Sequence, residues 1–217
     1  MNKIVLFDVD GVIVKGQTQK FFVRYLLKKK KISLLLFIKI YFWFIFYKLG
    51  LIKDTIKIRK KVIKYIQGQD VAEFEKLFDD FFEKEIKPKI NKKVVDLIKK
   101  HLENKDIVIL VSASLEEIIE RIKNYVGANF IIATKLAKNS GKYTGEIEEK
   151  IPYGENKVLK IKELLEKNKY SLEGSYAYSD HISDLVLLEI VDNSCVVNPD
   201  KKLRKVAIKK GWRIYDF

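Results

Sequence analysis

The chain has 217 residues, 47% of them hydrophobic and 33% charged, which excludes a disordered polymer and fits one domain, with or without an insertion. A single cysteine, Cys195, excludes an internal disulfide framework, and with only two histidines, His101 and His181, no zinc site is expected. The net charge of +14 is concentrated: residues 15–66 hold fifteen Lys and Arg against one acid, Asp54, whereas residues 67–217 carry 27 bases and 26 acids. Such a stretch is either a solvated basic face or a surface for a phosphate-bearing ligand, an anionic membrane or nucleic acid.

The run Lys3–Phe7 predicts a buried strand, and it leads directly into Asp8-Val9-Asp10-Gly11. A cleavable signal peptide is therefore not expected, and a reducing cytoplasm is the expected compartment. Carboxylates at the end of an apolar strand are costly unless something compensates them. Residues 15–87 then carry only helical patterns, ending near Pro88. This predicts a helical cap of 15–87 set on a core of 1–14 and 88–217.

Inside the cap lies Ile32–Ile52, apolar nearly all round and preceded by the run Lys28–Lys31. Sixteen residues from Ile32 to Tyr47 span about 24 Å of helix, short of a hydrocarbon core of roughly 30 Å. Lys39 falls mid-segment, and a full span would separate the first strand from its sheet partners. Burial in the cap, a homodimer interface and shallow contact with lipid remain as readings, with the adjacent lysines favouring lipid.

After the cap, strand and helix alternate. Strands are predicted at Asp106–Val111, Phe130–Ala133, Ser175–Tyr178 and Ser194–Val197, and helices at Lys92–Leu102, Leu115–Tyr125, Asn156–Lys167 and Ile182–Ile190. The segment Lys138–Glu148, with Gly141 and Gly145, predicts a hairpin beside the sheet. The whole is an α/β chain with a doubly wound parallel sheet and an inserted helical cap.

Four short motifs sit at strand ends or on the helices that follow: Asp8–Gly11, Val111–Ser114, Tyr153–Lys157 and Tyr178–Asp184. In an open parallel sheet those ends gather at one crevice. Close carboxylates call for a cation, and hard oxygen ligands suit Mg²⁺. Ser112, expected at a turn into a helix, would present backbone N–H groups to a phosphate oxygen, and Lys157 adds a fixed positive charge. Each motif alone has a plainer reading as a loop, an N-cap or a solvated face. Together, in order, they fit phosphoryl transfer.

On these motifs the chain resembles the haloacid dehalogenase-type phosphohydrolases, subfamily IB, the phosphoserine phosphatase-like group with a helical cap after the first strand. The resemblance is sharpest at "LFDVDGVIV", "ILVSAS", "YTGEI…YGENKV" and "YAYSDHISDLVLLE". It implies a Rossmann-like core, Asp8 as nucleophile forming an aspartyl-phosphate, and Asp10 as general acid and then base. It implies Mg²⁺ held at Asp8, the Asp10 carbonyl, Asp180 and Asp184, with Ser112, Ala113 and Lys157 on the phosphoryl oxygens. Family dehalogenases lack the second aspartate, so Asp10 favours a phosphatase. Gln17, Arg59 and Lys61 are the cap residues expected to meet the substrate. Gln17 stands where phosphoserine phosphatases have a glutamate, which argues against a zwitterionic amino-acid phosphate. Val12 replaces a frequent threonine. His181 is expected to be an exposed loop residue, with contact to the leaving group as its other reading, and His101 a surface or C-terminal helix residue.

The expected activity is hydrolysis of an anionic phosphate ester, with a lipid phosphate at the inner face of the membrane as one substrate class and a small soluble metabolite as the other. A non-catalytic, nucleic-acid-binding module is the remaining alternative; the acidic set speaks against it, and no nucleic acid is expected as a partner.

Overall fold

The computed structural model describes residues 2–48 and 63–217. Six parallel strands form the central sheet in the order β3-β2-β1-β6-β7-β8. β1 (Ile4–Asp8) lies at its centre, every residue buried, paired on one side with β2 (Ile107–Leu115) and on the other with β6 (Tyr176–Ser179). β3 (Phe130–Thr134) closes one edge, and β7 (Asn193–Val197) and β8 (Arg213–Tyr215) the other. Apolar runs bounded by turns behave as expected for strands covered on both faces. The strand order reverses between β1 and β6, which opens the crevice at the carboxyl ends of those strands.

The cap begins with a tight turn after β1, then α1 (Thr18–Lys28), α2 (Leu34–Lys48) and α3 (Val71–Phe81). The Asp70 side chain caps α3 by accepting from the Glu73 N–H at 3.0 Å. Phe74, Phe78 and Phe81 form its buried face, and Phe22 of α1 packs on the last two. A π-helical turn at Phe82–Ile86 and a short 3₁₀ turn return the chain to the core.

The core helices α4 (Lys92–Glu103), α5 (Glu116–Val126) and α6 (Glu155–Asn168) match the predicted ones to within a residue or two. The hairpin is β4 (Leu136–Asn139) with β5 (Lys142–Ile147), antiparallel. The predicted helix Ile182–Ile190 is a 3₁₀ turn, Ile182–Asp184, followed by a short α7 (Leu185–Glu189). α8 (Lys201–Lys210) is capped by Asp200, which accepts from the N–H groups of Lys202 and Leu203.

His101 lies in the last turn of α4, as one of its two readings has it, but it is buried rather than on the surface: its Nδ1 lies 2.8 Å from Asp106 Oδ2 and its Nε2 2.9 Å from the Tyr178 hydroxyl. Those two partners satisfy the imidazole inside the core, which makes its burial affordable.

Among the described residues no helix is long and apolar enough to cross a membrane. α2 turns Leu36 and Ile40, one helical turn apart, inward against Val23 of α1, and leaves Leu34, Leu35, Ile38, Tyr41, Phe42, Ile45 and Phe46 exposed. The lysines before it are less available than their sequence suggests. Lys28 pairs with Glu85, Lys29 with Asp80 and Lys31 with Glu73, all from the far side of the cap.

Candidate active site

Asp8 ends β1 and is buried because its neighbours on both sides are central strands. Lys157 reaches it from the first turn of α6, with Nζ 2.7 Å from Asp8 Oδ1 and 2.7 Å from Asp184 Oδ1. At 3% exposure this lysine is as buried as a core side chain. The other oxygen of Asp184 accepts from Ser179 Oγ at 2.9 Å, so Asp184 is held at both ends and fixes the lysine.

Asp180 follows β6 and stands directly against Gly11. A Cβ at Gly11 would lie 1.9 Å from Asp180 Oδ2, and Gly11 has φ +85°. Only glycine permits both that backbone and that approach. The Asp180 carbonyl accepts from the Asp200 N–H at 2.8 Å, which anchors the loop from behind. Asp10 is oriented by the cap: its Oδ1 accepts from the Thr18 N–H, the first residue of α1, at 2.7 Å.

The phosphate-binding segment differs from its expected form. Ser112 and Ala113 lie within β2, not at a helix N-terminus, and the strand's register with β3 shifts between Val111 and Leu115. That irregularity is pinned: Ser112 Oγ accepts from the Ser114 N–H, and the Ala113 carbonyl accepts from Gln19 Nε2 and Thr134 Oγ1. Thr18 Oγ1 lies 2.9 Å from Ser114 Oγ, a second tie between cap and core.

Electrostatics follow from geometry. Burial pushes the Asp8 carboxyl well above its ordinary 3.8, and the nearby Asp184 and Asp180 add to it against the pull of Lys157. Asp180 is pushed up to about 7, by burial first and then by Asp184. Burial would lower Lys157, but Asp8 and Asp184 outweigh it and hold the ammonium above its ordinary range. One ammonium among three carboxylates leaves an excess of negative charge.

The donor chemistry fits a hard cation. Among the described residues no three acidic, histidine or cysteine side chains converge into a complete metal cage. Mg²⁺ rarely uses one; it keeps several waters and takes one or two carboxylates with a carbonyl, donors that Asp8, Asp180 and the Asp10 carbonyl could supply.

These residues line one end of a cavity of about 890 Å³, whose wall also includes Gln17, Ser112 and Ala113. The structure thus gathers Asp8, Asp10, Ser112, Ala113, Lys157, Asp180, Asp184 and Gln17. Arg59 and Lys61 lie outside the described residues. His181 is exposed, as expected, with Nδ1 2.9 Å from Ser183 Oγ. Sequence reasoning missed Thr18, Ser179, Thr134 and the close approach of Gly11 to Asp180. Ser179 adjoins a singled-out aspartate, but nothing in the sequence marks its hydroxyl as the partner of Asp184.

Residues 5–189 match the family model described as haloacid dehalogenase-like hydrolase. A probable phosphatase of Mycobacterium tuberculosis is 37% identical over 218 residues, 97% of this chain and 74% of that protein. In fold, the chain is similar to a Bordetella pertussis protein of unknown function, with TM-score 0.91, 24% identity, and coverage of 100% and 99%. It is also similar to a substrate-bound phosphoserine phosphatase, with TM-score 0.71, 16% identity, and coverage of 100% and 94%.

Proposed function

The chain belongs to the haloacid dehalogenase-like hydrolases, and on that premise we propose that it is a Mg²⁺-dependent phosphomonoesterase with Asp8 as nucleophile. The observation that carries this reading is the buried Asp8–Lys157–Asp184 bridge with Asp180 seated against Gly11. Asp8 attacks phosphorus and the bond to the alcohol oxygen breaks, while Asp10 gives that oxygen a proton. Asp10 then takes a proton from water, whose oxygen attacks the aspartyl-phosphate, freeing inorganic phosphate and restoring the Asp8 carboxylate. Lys157 holds one face of Asp8 and offers its charge to a phosphoryl oxygen; Ser112 and the Ala113 backbone serve the others. Asp8, the Asp10 carbonyl and Asp180 would hold Mg²⁺, which would supply positive charge to the phosphoryl oxygens, and Asp184 acts by orienting Lys157.

The test is phosphate release from an aryl phosphate with Mg²⁺, comparing the wild-type chain with Asp8→Asn. Turnover lost in the variant and on chelation supports the mechanism. Turnover that survives Asp8→Asn overturns it.

A lipid phosphate at a membrane surface is favoured over a small polar metabolite by the exposed outer face of α2, where Leu34 and Leu35 are 62% and 65% exposed. With Lys28, Lys29 and Lys31 in surface pairs with acids of the cap, the apolar face carries this reading more than the basic run does. Failure of the chain to bind anionic liposomes at low salt would remove it. The same apolar face could instead join two copies, an outcome that sedimentation would reveal.

A further inference from the structure

The cavity is lined by more than the carboxylates, and its walls differ in chemistry: the core side adds the polar Thr134, Tyr153, His181 and Ser183, whereas the cap side is largely apolar. The cap's polar contributions, Gln17, Gln19 and Lys20, all come from the start of α1, and Gln19 is already committed to the Ala113 carbonyl. Beyond them the cap lines the wall with Phe22, Val23, Leu26, Leu36, Ile40 and Ile63; among the described residues Tyr65 alone adds a polar atom there. A polar leaving alcohol would find few partners on this wall, and each hydroxyl left unpaired there would cost affinity. The volume, about 890 Å³, lies in the range that houses drug-sized ligands, far more than a phosphoryl group fills. Leu36 and Ile40 on the wall belong to the same helix whose opposite face is apolar and exposed, so the cavity and the outer apolar surface share α2.

We infer that the alcohol half of the substrate carries a flexible apolar chain, alkyl or isoprenoid, which this cavity holds between α1 and α2 while the phosphate sits at Asp8. This rests on the phosphatase reading above and extends it from the reacting end to the leaving group. The chain is recognised by removal from water, so specificity should scale with its length up to the depth of the cavity.

The experiment compares kcat/KM for butyl and octyl phosphate, both dissolved as monomers, with Mg²⁺ present. Each methylene that leaves water is worth about two- to fourfold, so the octyl ester, with four more, should be favoured by about 20- to 250-fold. In Leu36→Gln or Ile40→Gln that ratio should fall at least about fivefold, with the octyl ester losing more than the butyl ester. A wild-type ratio near one, with both esters hydrolysed, overturns the inference and leaves the phosphatase reading standing. No hydrolysis of these or of an aryl phosphate overturns both. An unchanged ratio in a folded variant also overturns the inference; if neither variant folds, the wild-type ratio decides. A diacylglycerol phosphate presented in vesicles separates the sources: turnover there identifies a bilayer substrate, and turnover of the dissolved octyl ester alone identifies a soluble one, either of which supports the apolar chain.

Discussion

Replacing Lys157 with methionine tests the electrostatic core of the site, because the side chains are close in volume and differ in one charge. In the native chain the ammonium lies 2.7 Å from oxygens of both Asp8 and Asp184 and is almost completely buried. Removing one partner of a buried ion pair costs about 3–5 kcal/mol, since the remaining charge is neither solvated nor paired. Here two carboxylates lose that partner, and Asp8 escapes part of the cost by binding a proton. Asp8 already sits above its ordinary 3.8 through burial and its acidic neighbours, and loss of Lys157 removes what holds it down. A folded-state carboxyl raised in this way favours folding at low pH, and that contribution disappears as pH rises through its folded value. The deficit of Lys157→Met relative to wild type should therefore be small near about pH 4 and reach on the order of 3 kcal/mol near about pH 8. Urea denaturation of metal-free protein across that range measures it, and added Mg²⁺ should restore part of the loss. A deficit under about 1 kcal/mol at the alkaline end, or one independent of pH, would refute the charge balance described for the site.

Asp180→Asn should trade activity for stability. Its carboxyl is lifted from 3.8 to about 7, so ionising it in the folded chain costs at most on the order of 4 kcal/mol, and its partial exposure to water reduces this to about 1–2. Metal-free Asp180→Asn should accordingly melt higher than wild type near about pH 8, not near about pH 4, and should lose Mg²⁺-dependent turnover; an unchanged melting temperature at the alkaline end counts against the raised carboxyl. Gly11→Ala puts a methyl 1.9 Å from Asp180 Oδ2 at φ +85°, so turnover should drop at least about tenfold, with a stability cost of about 1–2 kcal/mol from the backbone alone. Normal kinetics in that variant would mean that Asp180 has room to move without consequence. His101→Leu takes a buried partner from Asp106, which keeps the Lys3 N–H, and from the Tyr178 hydroxyl, and its urea midpoint should fall by an amount equivalent to about 1–3 kcal/mol while turnover per folded molecule is kept.

The sheet was legible because its signal is local. β1 and the neighbouring strands are short apolar runs closed by turns, and strand–helix alternation leaves few topologies for them. β8 escaped because Arg213–Tyr215 is three residues long on a sheet edge, where one covered face is enough and no apolar run is needed. α8 likewise lies in a lysine-rich stretch that buries only Leu203 and Ala207, too few to stand out as a period. Misplacing His101 has a different origin. At the end of an amphipathic helix, imidazole is equally at home in water or in the core, and the choice depends on Asp106 and on Tyr178, 77 residues away.

The same distinction runs through the site. Asp8, Asp10, Asp180 and Lys157 could be singled out because their motifs fall in order at strand ends and helix starts and together resemble a known family, although each alone has a plainer reading. Their supports could not. Ser179, Thr134 and Thr18 are ordinary residues whose importance lies wholly in what faces them: Asp184, the Ala113 carbonyl and Ser114. Nor does the sequence distinguish lysines that meet solvent from those that meet acids. The run at Lys28–Lys31 reads as a surface charge, yet three of its members are matched by Glu85, Asp80 and Glu73 across the cap. The charge that matters to the chemistry is instead a single lysine 149 residues from the carboxylate it holds. Composition locates the excess of charge along the chain, whereas burial decides which charge is worth several kcal/mol and which is worth almost nothing.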